Sequence, residues 1–467
     1  MKKITLLFSF TTLWLYVAAQ TTLVKPVVDA RVELMSAVFR LAEAQEYVNN
    51  HFASYAKEVD DYFAPMKEHE IIPYIHKLRE EYGVGYDAVM DYAIHIEIRN
   101  GDIIFDTNVT SDLEARWTKE NADEFLALLN DFYKKSNFQT FFDSHNELYE
   151  TASENFQPVL EEVDFEWFEK FYGTKSDDNY RIILGLLNGG GNYGPSLEYK
   201  DGKRDVFSVM GTWQTDSLGN PAYSPRILQT LIHEFNHSYC NRLIDEHIDA
   251  LLPQARKFHA LDAEKLLQQA YGTAETMLYE ILVRTCVLQY FNNEFNSDKQ
   301  LSYTLNMLKS SGFMWIDALY NALTTYQNNR SQYPTLACFM PEIIKLQNSL
   351  NPKKIKKEFD KKCGKIIGCN IKNGAKNVDY TIDHITVKFN KSMFDGNNGA
   401  SYGPKGKDFF PDFDENKEAI WTEKEWTIFV NLKPDTEYSI SFPAQFFMTK
   451  DRLPVQNTYI LEFRTRK

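Results

Sequence analysis

Only five cysteines occur among the 467 residues, too few for the disulfide framework that holds small secreted domains together. Positive charge is the minority sign: 51 Lys and Arg against 65 Asp and Glu leave a net charge of −14. An acidic chain makes a poor nucleic-acid binder and gains nothing from an anionic membrane. Long apolar runs are lacking too: beyond residue 17 no stretch approaches 18 apolar residues, so no membrane span is expected. What the chain does hold is 14% aromatic residues, enough at this length to bury sizeable cores in two or three domains.

The first residues read MKKITLLFSFTTLWLYVAAQ. Two lysines, an apolar run from Ile4 to Val17 and small residues at Ala18 and Ala19 have the form of a secretory signal cleaved after Ala19. The protein is therefore expected to be exported, to the periplasm, the cell surface or the medium. Export permits disulfides, and Cys363 with Cys369 is the first pair to expect.

The chemistry concentrates in SPRILQTLIHEFNHSYCNRL, residues 224–243. His233-Glu234-Phe235-Asn236-His237 is an HExxH pattern. Residues four apart lie about 40° apart round a helix, so His233 and His237 can offer two nitrogens to one metal ion. Glu234, about 100° away, stands beside that ion as a free carboxylate, the arrangement of a zinc hydrolase. Ser224 as N-cap and Pro225 at the first position predict a helix over 224–243. Ile227, Leu228, Leu231, Ile232, Phe235 and Tyr239 form an apolar stripe roughly opposite the histidines. Cys240, near the histidine edge, reads as a small buried thiol.

Residues 26–90 carry helical periodicity, AIHIEIRNGDIIFD is a hairpin turning at Asn100-Gly101, and 121–171 return to helix. Two buried strands are expected at Ile182–Leu187 and Val206–Thr212. Between them, Gly189 to Gly194 lacks the GK[ST] and the following helix of a phosphate cradle; a flexible loop at the rim of a cleft is expected, placed where a substrate strand could pair. A later helix, about 274–291, buries Glu280 among apolar residues, where a carboxylate needs a partner. That partner is a metal ion, Arg284 four residues on, or both. Glu280 is the first candidate for third ligand and Glu275 the second.

HEFNH followed by a glutamate on a later helix resembles the gluzincin branch of the zincin metallopeptidases. The resemblance implies Zn2+ held by His233, His237 and Glu280, with Glu234 as catalytic base. The metzincin branch fits badly, since Cys240 and Leu243 stand where its glycine and third histidine belong. More broadly, residues 30–350 are similar to an uncharacterised family of exported bacterial proteins with a zincin-like core, which implies a fold and a metal but no substrate.

The run Lys353-Lys354-Ile355-Lys356-Lys357, with Lys361 and Lys362, reads most simply as a solvated final helix or linker. Period-two alternation then takes over: Ile385, Val387 and Phe389, then Tyr438, Ile440 and Phe442, then Leu461 and Phe463. This stretch resembles the bacterial Ig-like β-sandwich domains appended to exported proteins, which implies spacing, or docking to a cell surface or glycan.

The expected fold class is α+β: a mainly helical zincin-like catalytic domain with a small mixed sheet over 20–365, then an all-β Ig-like sandwich over 370–467. The expected function is zinc-dependent hydrolysis of a peptide or protein substrate, Glu234 taking a proton from water and passing it to the leaving amine. Tyr271, Tyr279 and His247 are candidate oxyanion stabilisers. The alternative is a non-catalytic surface-binding protein on the same fold, docking a partner or glycan.

Overall fold

The computed structural model describes residues 25–49, 51–174, 178–292, 297–396 and 398–467; the expected leader at 1–19 lies outside them. The architecture is α+β, with several small sheets and a strand-rich C-terminal region. Two compact units are distinguished: Met1–Glu169 with Lys175–Ser238, and Lys170–Thr174 with Tyr239–Lys467.

The first unit opens with helices α1 (Ala30–Leu41), α2 (Ala53–Phe63), α3 (Ile71–Tyr82) and α4 (Asp87–His95). A hairpin of β1 (Ile96–Arg99) and β2 (Asp102–Phe105) follows. Asn100 and Gly101 turn it at φ 54° and 82°, the left-handed pair that a tight hairpin favours. Helices α5 (Lys119–Lys135), α6 (Phe138–Asp143), α7 (Asn146–Glu161) and α8 (Phe165–Tyr172) come next. Thr118 caps α5, its side chain accepting from the Asn121 N–H at 3.2 Å, which meets one of the donors a helix start leaves open. Phe63, Phe125, Phe132 and Phe138 fill the core of these helices, each almost wholly buried.

Three strands then build the sheet beside the motif: β3 (Asp178–Gly185), β4 (Ser196–Glu198) and β5 (Arg204–Gly211), in the order β3-β5-β4. β3 and β5 are parallel, Asp178 opposite Arg204 and Gly185 opposite Gly211, while β4 runs antiparallel to β5. Both long strands start earlier than the apolar runs at 182 and 206 indicated, because the ladder also takes in polar residues. β3 stops before Leu186, whose N–H goes to the Glu33 carboxylate at 2.8 Å instead of to a strand.

Helix α9 (Ile227–Asp245) carries HEFNH. It begins later than the expected Pro225, because Ser224 and Pro225 make a tight turn whose carbonyls accept from the Ile227 and Leu228 N–H groups. The second unit continues with α10 (Ile248–His259), α11 (Ala263–Leu267), α12 (Ala274–Tyr290), α13 (Asp298–Ser310), α14 (Ile316–Asn328), α15 (Leu336–Ser349) and α16 (Pro352–Lys362).

Strands β6 (Ile366–Cys369), β7 (Ala375–Val378), β8 (His384–Phe389), β9 (Ser401–Tyr402), β10 (Asp412–Phe413), β11 (Ile420–Trp421), β12 (Glu425–Asn431), β13 (Glu437–Phe442) and β14 (Tyr459–Thr465) complete the chain. They form one sheet ordered β10-β12-β8-β6, with β11 on β12, and a second ordered β7-β14-β13-β9. Ile385, Val387 and Phe389 of β8, Tyr438, Ile440 and Phe442 of β13, and Leu461 and Phe463 of β14 belong to one shared core, so the period-two reading assigned their faces correctly. The strands begin at Ile366, slightly before the expected 370. All five cysteines are free, contrary to the expected Cys363–Cys369 bridge. Cys363 ends α16 with its N–H on the Phe359 carbonyl, while Cys369 is held in β6 opposite Val387, so each follows its own element.

Candidate metal centre

On α9 the stripe and the histidines separate as the pattern required. Ile227, Leu231, Ile232, Phe235 and Tyr239 are buried; Leu228 at the start of the stripe and the two histidines are half-buried. Phe235 packs its ring against Phe165, Phe168 and Tyr180, with centroids at 5.9, 6.1 and 5.0 Å. This packing fixes the rotation of the helix, and with it the direction of the residues one turn apart on the other face. Between the histidines, Asn236 is fully buried and returns its side-chain N–H to the Ile232 carbonyl at 2.7 Å.

The Nε2 atoms of His233 and His237 stand 3.1 Å apart. Two ligands on one zinc ion, each at about 2.0–2.1 Å in tetrahedral array, stand about 3.4 Å apart, so the pair fits a shared ion. A hydrogen bond between the rings would give a similar separation but would need no third group. A third group is present: ligand atoms of His233, His237 and Glu280 all lie within 4.8 Å of one another. Two neutral nitrogens and one carboxylate form a donor set suited to zinc.

Glu280 is 6% exposed, within the apolar α12. Its carboxylate lies 3.0 Å from the Arg284 guanidinium, one helical turn on. Arg284 also donates to the Tyr271 hydroxyl at 2.8 Å and lies over the Phe313 ring at 5.0 Å. Tyr271 in turn hydrogen-bonds Glu280, and burial together with that carboxylate pushes its phenol up to about 12. Burial works against the charge of Arg284, but Glu280 and Tyr271 outweigh it and its pKa is raised. The result is a carboxylate oriented by a permanent cation and a neutral phenol, the kind of support that fixes a metal ligand's direction. Thr273 caps α12 by accepting from the Thr276 N–H. Glu275, the second candidate, is half-buried in the first turn, 4.0 Å from Arg256.

The structure thus brings His233, His237 and Glu280 together and places Glu234, 5% exposed, on the same helix between the histidines. The three oxyanion candidates have these partners. Tyr271 is hydrogen-bonded to Glu280 and accepts from Arg284, Tyr279 donates to Asp245, and the backbone carbonyl of His247 accepts the first N–H bonds of α10. Cys240 is wholly buried, its sulfur 3.7 Å from Cys286 and 3.3 Å from the Tyr172 hydroxyl, and burial raises its thiol well above the ordinary range.

The glycine-rich segment is tied to its surroundings by hydrogen bonds. Asn49 donates to the Leu187 carbonyl, Ser36 to Asn188, the Gly211 N–H to Asn192, and the Tyr193 N–H to Val209. Its glycines serve close approach: a Cβ on Gly194 would lie 2.2 Å from the Glu234 carbonyl oxygen, and one on Gly211 2.2 Å from that of Gly189. Gly194 and Tyr193 are the neighbours of Glu234 that residue patterns passed over. Burial, then the carboxylates of Glu46, Asp87 and Glu234, raise the Tyr193 phenol. The single readable sign was the run of glycines itself.

Comparison with known proteins adds a family and little else. No curated protein matches the chain. Among solved structures, the N-terminal part of the bacterial S-layer protein SbsC aligns at 14% identity over 55% of this chain and 61% of that one, with a TM-score of 0.17. Domains 1–6 of the same surface-layer protein align at 11% identity over 86% and 46%, with a TM-score of 0.19. The chain spans less than two thirds of either, and superpositions this poor carry no argument about fold or function. Residues 24–346 match the model of a domain of unknown function, DUF4932. With more than half its length in that match, the chain belongs to the DUF4932 family.

Proposed function

We propose that this protein is an exported zinc-dependent hydrolase, most specifically a metallopeptidase of gluzincin type, with a zincin-like domain followed by an Ig-like sandwich. The observation that carries the reading is the meeting of His233, His237 and Glu280 within 4.8 Å, with a glutamate between the two histidines in sequence. His233 and His237 would hold zinc through their Nε2 atoms, and Glu280 through a carboxylate oxygen turned by Arg284 and Tyr271. When bound, zinc supplies a Lewis acid that polarises a carbonyl and makes water more acidic. Glu234 accepts the water's proton and delivers it to the leaving amine.

A site meant only for structure has no use for a base beside its ligands, which favours the hydrolase over a binding protein on the same scaffold. Export is supported by the form of residues 1–19, and the sandwich by two sheets sharing one core. Metal analysis of the purified protein should find one zinc per chain, and His233→Ala should abolish it. Stoichiometric zinc retained in that variant would remove the ligand assignment.

A further inference from the structure

Helix α16 gathers the lysines that the sequence showed only as a run. Lys353, Lys357 and Lys361 recur every fourth residue, so they form one edge with steps of about 6 Å along the axis. Together with Lys356, Asp360 and Lys365 they line a cavity of about 560 Å³, with Leu261 on its wall. Lys356 is neutralised by Asp360 at 2.7 Å and Asp262 at 3.6 Å. Among the described residues Lys353, Lys357, Lys361 and Lys365 make no ion pair. This concentration of uncompensated positive charge stands in a chain of net charge −14.

The fold does not explain it. The first turn of α16 has no acidic residue and carries Lys353 and Lys354 instead, set against the positive end of the helix dipole. That placement costs helix stability and raises the positive potential where an anion would sit. Its lysines can run their alkyl stems along the wall and leave the ammonium groups free.

We infer that this face of α16 binds a linear phosphate-bearing polymer without nucleobases. Lysine alone, with no arginine fork, suits successive point contacts to phosphates along a flexible chain. The lining offers no aromatic ring on which a base could stack, which disfavours single-stranded nucleic acid. A membrane surface is disfavoured because α16 has no exposed apolar face to insert: Phe359 is buried and Ile355 half-buried. The inference is independent of the metal centre.

The test is binding of inorganic polyphosphate to the full chain, read by calorimetry at several salt concentrations. Lys353→Glu/Lys357→Glu/Lys361→Glu should weaken binding at least about 100-fold at low salt and lower the salt slope by about two, roughly 0.7 for each phosphate no longer neutralised. The same charge change at the exposed Lys372, Lys376 and Lys450 should cost less than about threefold, as long-range charge alone would. If the glutamate variant fails to fold, the glutamine triple should still lose most of the affinity. Equal weakening by the two triples overturns the site. So does tighter binding of single-stranded DNA or polygalacturonate than of polyphosphate, or α16-dependent binding of phosphatidylglycerol vesicles alone.

Discussion

Two glutamates, Glu33 on α1 and Glu280 on α12, are both buried and differ in what faces them. Among the described residues Glu33 receives neutral donors, the Leu186 N–H at 2.8 Å and the Tyr55 hydroxyl at 2.9 Å. Burial outweighs these bonds and pushes its carboxyl up to about 7. Glu280 has the Arg284 guanidinium at 3.0 Å, with two imidazoles nearby. The first glutamate holds a strand end and takes up a proton readily; the second is kept company by a cation and suits a metal ligand. Burial of a carboxylate is therefore no sign of a site until its partners are known.

Exchanging each for glutamine should separate them most sharply. Glu280→Gln should lower zinc affinity by more than about 100-fold, and leave the Arg284 charge buried without its counter-ion, at about 3–5 kcal/mol. Metal titration and denaturant unfolding measure the two effects. Unchanged zinc affinity would place Glu280 with Glu33 as a structural carboxylate.

Glu33→Gln should act in the opposite sense above neutral pH. Because the folded pKa is raised from 4.5 to about 7, the stability this group contributes is fully present below about pH 4.5 and lost as pH rises through about 7. The loss is roughly 3 kcal/mol. In urea melts from pH 5 to pH 8 the variant should show a flatter profile than wild type, and an unaltered slope would refute the assignment.

Gly194→Ala should cost about 2 kcal/mol or more, since its new carbon meets the Glu234 backbone and not a movable side chain. Crowding at that point should also lower zinc affinity, which a purely local defect would not. Glu275→Gln should change stability by less than about 0.5 kcal/mol and leave zinc binding intact, being a half-buried first-turn residue with an arginine only at 4.0 Å.

Much of the molecule was legible in the sequence because its signals are local. The HEFNH spacing, the apolar stripe through Phe235, the helix over about 274–291 and the alternation of β8, β13 and β14 each depend on neighbours within a turn or a strand. The hairpin at Asn100-Gly101 was equally plain. What could not be read depends on distant partners. The hydrogen bonds to Leu187 and Asn188 come from Asn49 and Ser36 on another part of the chain. Tyr271 became a support for Glu280 through a fold-back of the chain before α12 that no periodicity records. The start of α9 moved because a proline after a serine can make a turn as well as open a helix. The lysines of α16 looked like a solvated run until the fold put them round a cavity.

The central claim is that Glu234 is a base beside a metal held by His233, His237 and Glu280. Its most direct test is cleavage of a mixed peptide library by the zinc-loaded full chain and by Glu234→Gln, each with and without chelator. The account predicts chelator-sensitive cleavage by the wild type and about a 10²–10⁴-fold loss in the variant with zinc stoichiometry unchanged. Zinc bound in both with no cleavage by either, or equal cleavage by both, would contradict it.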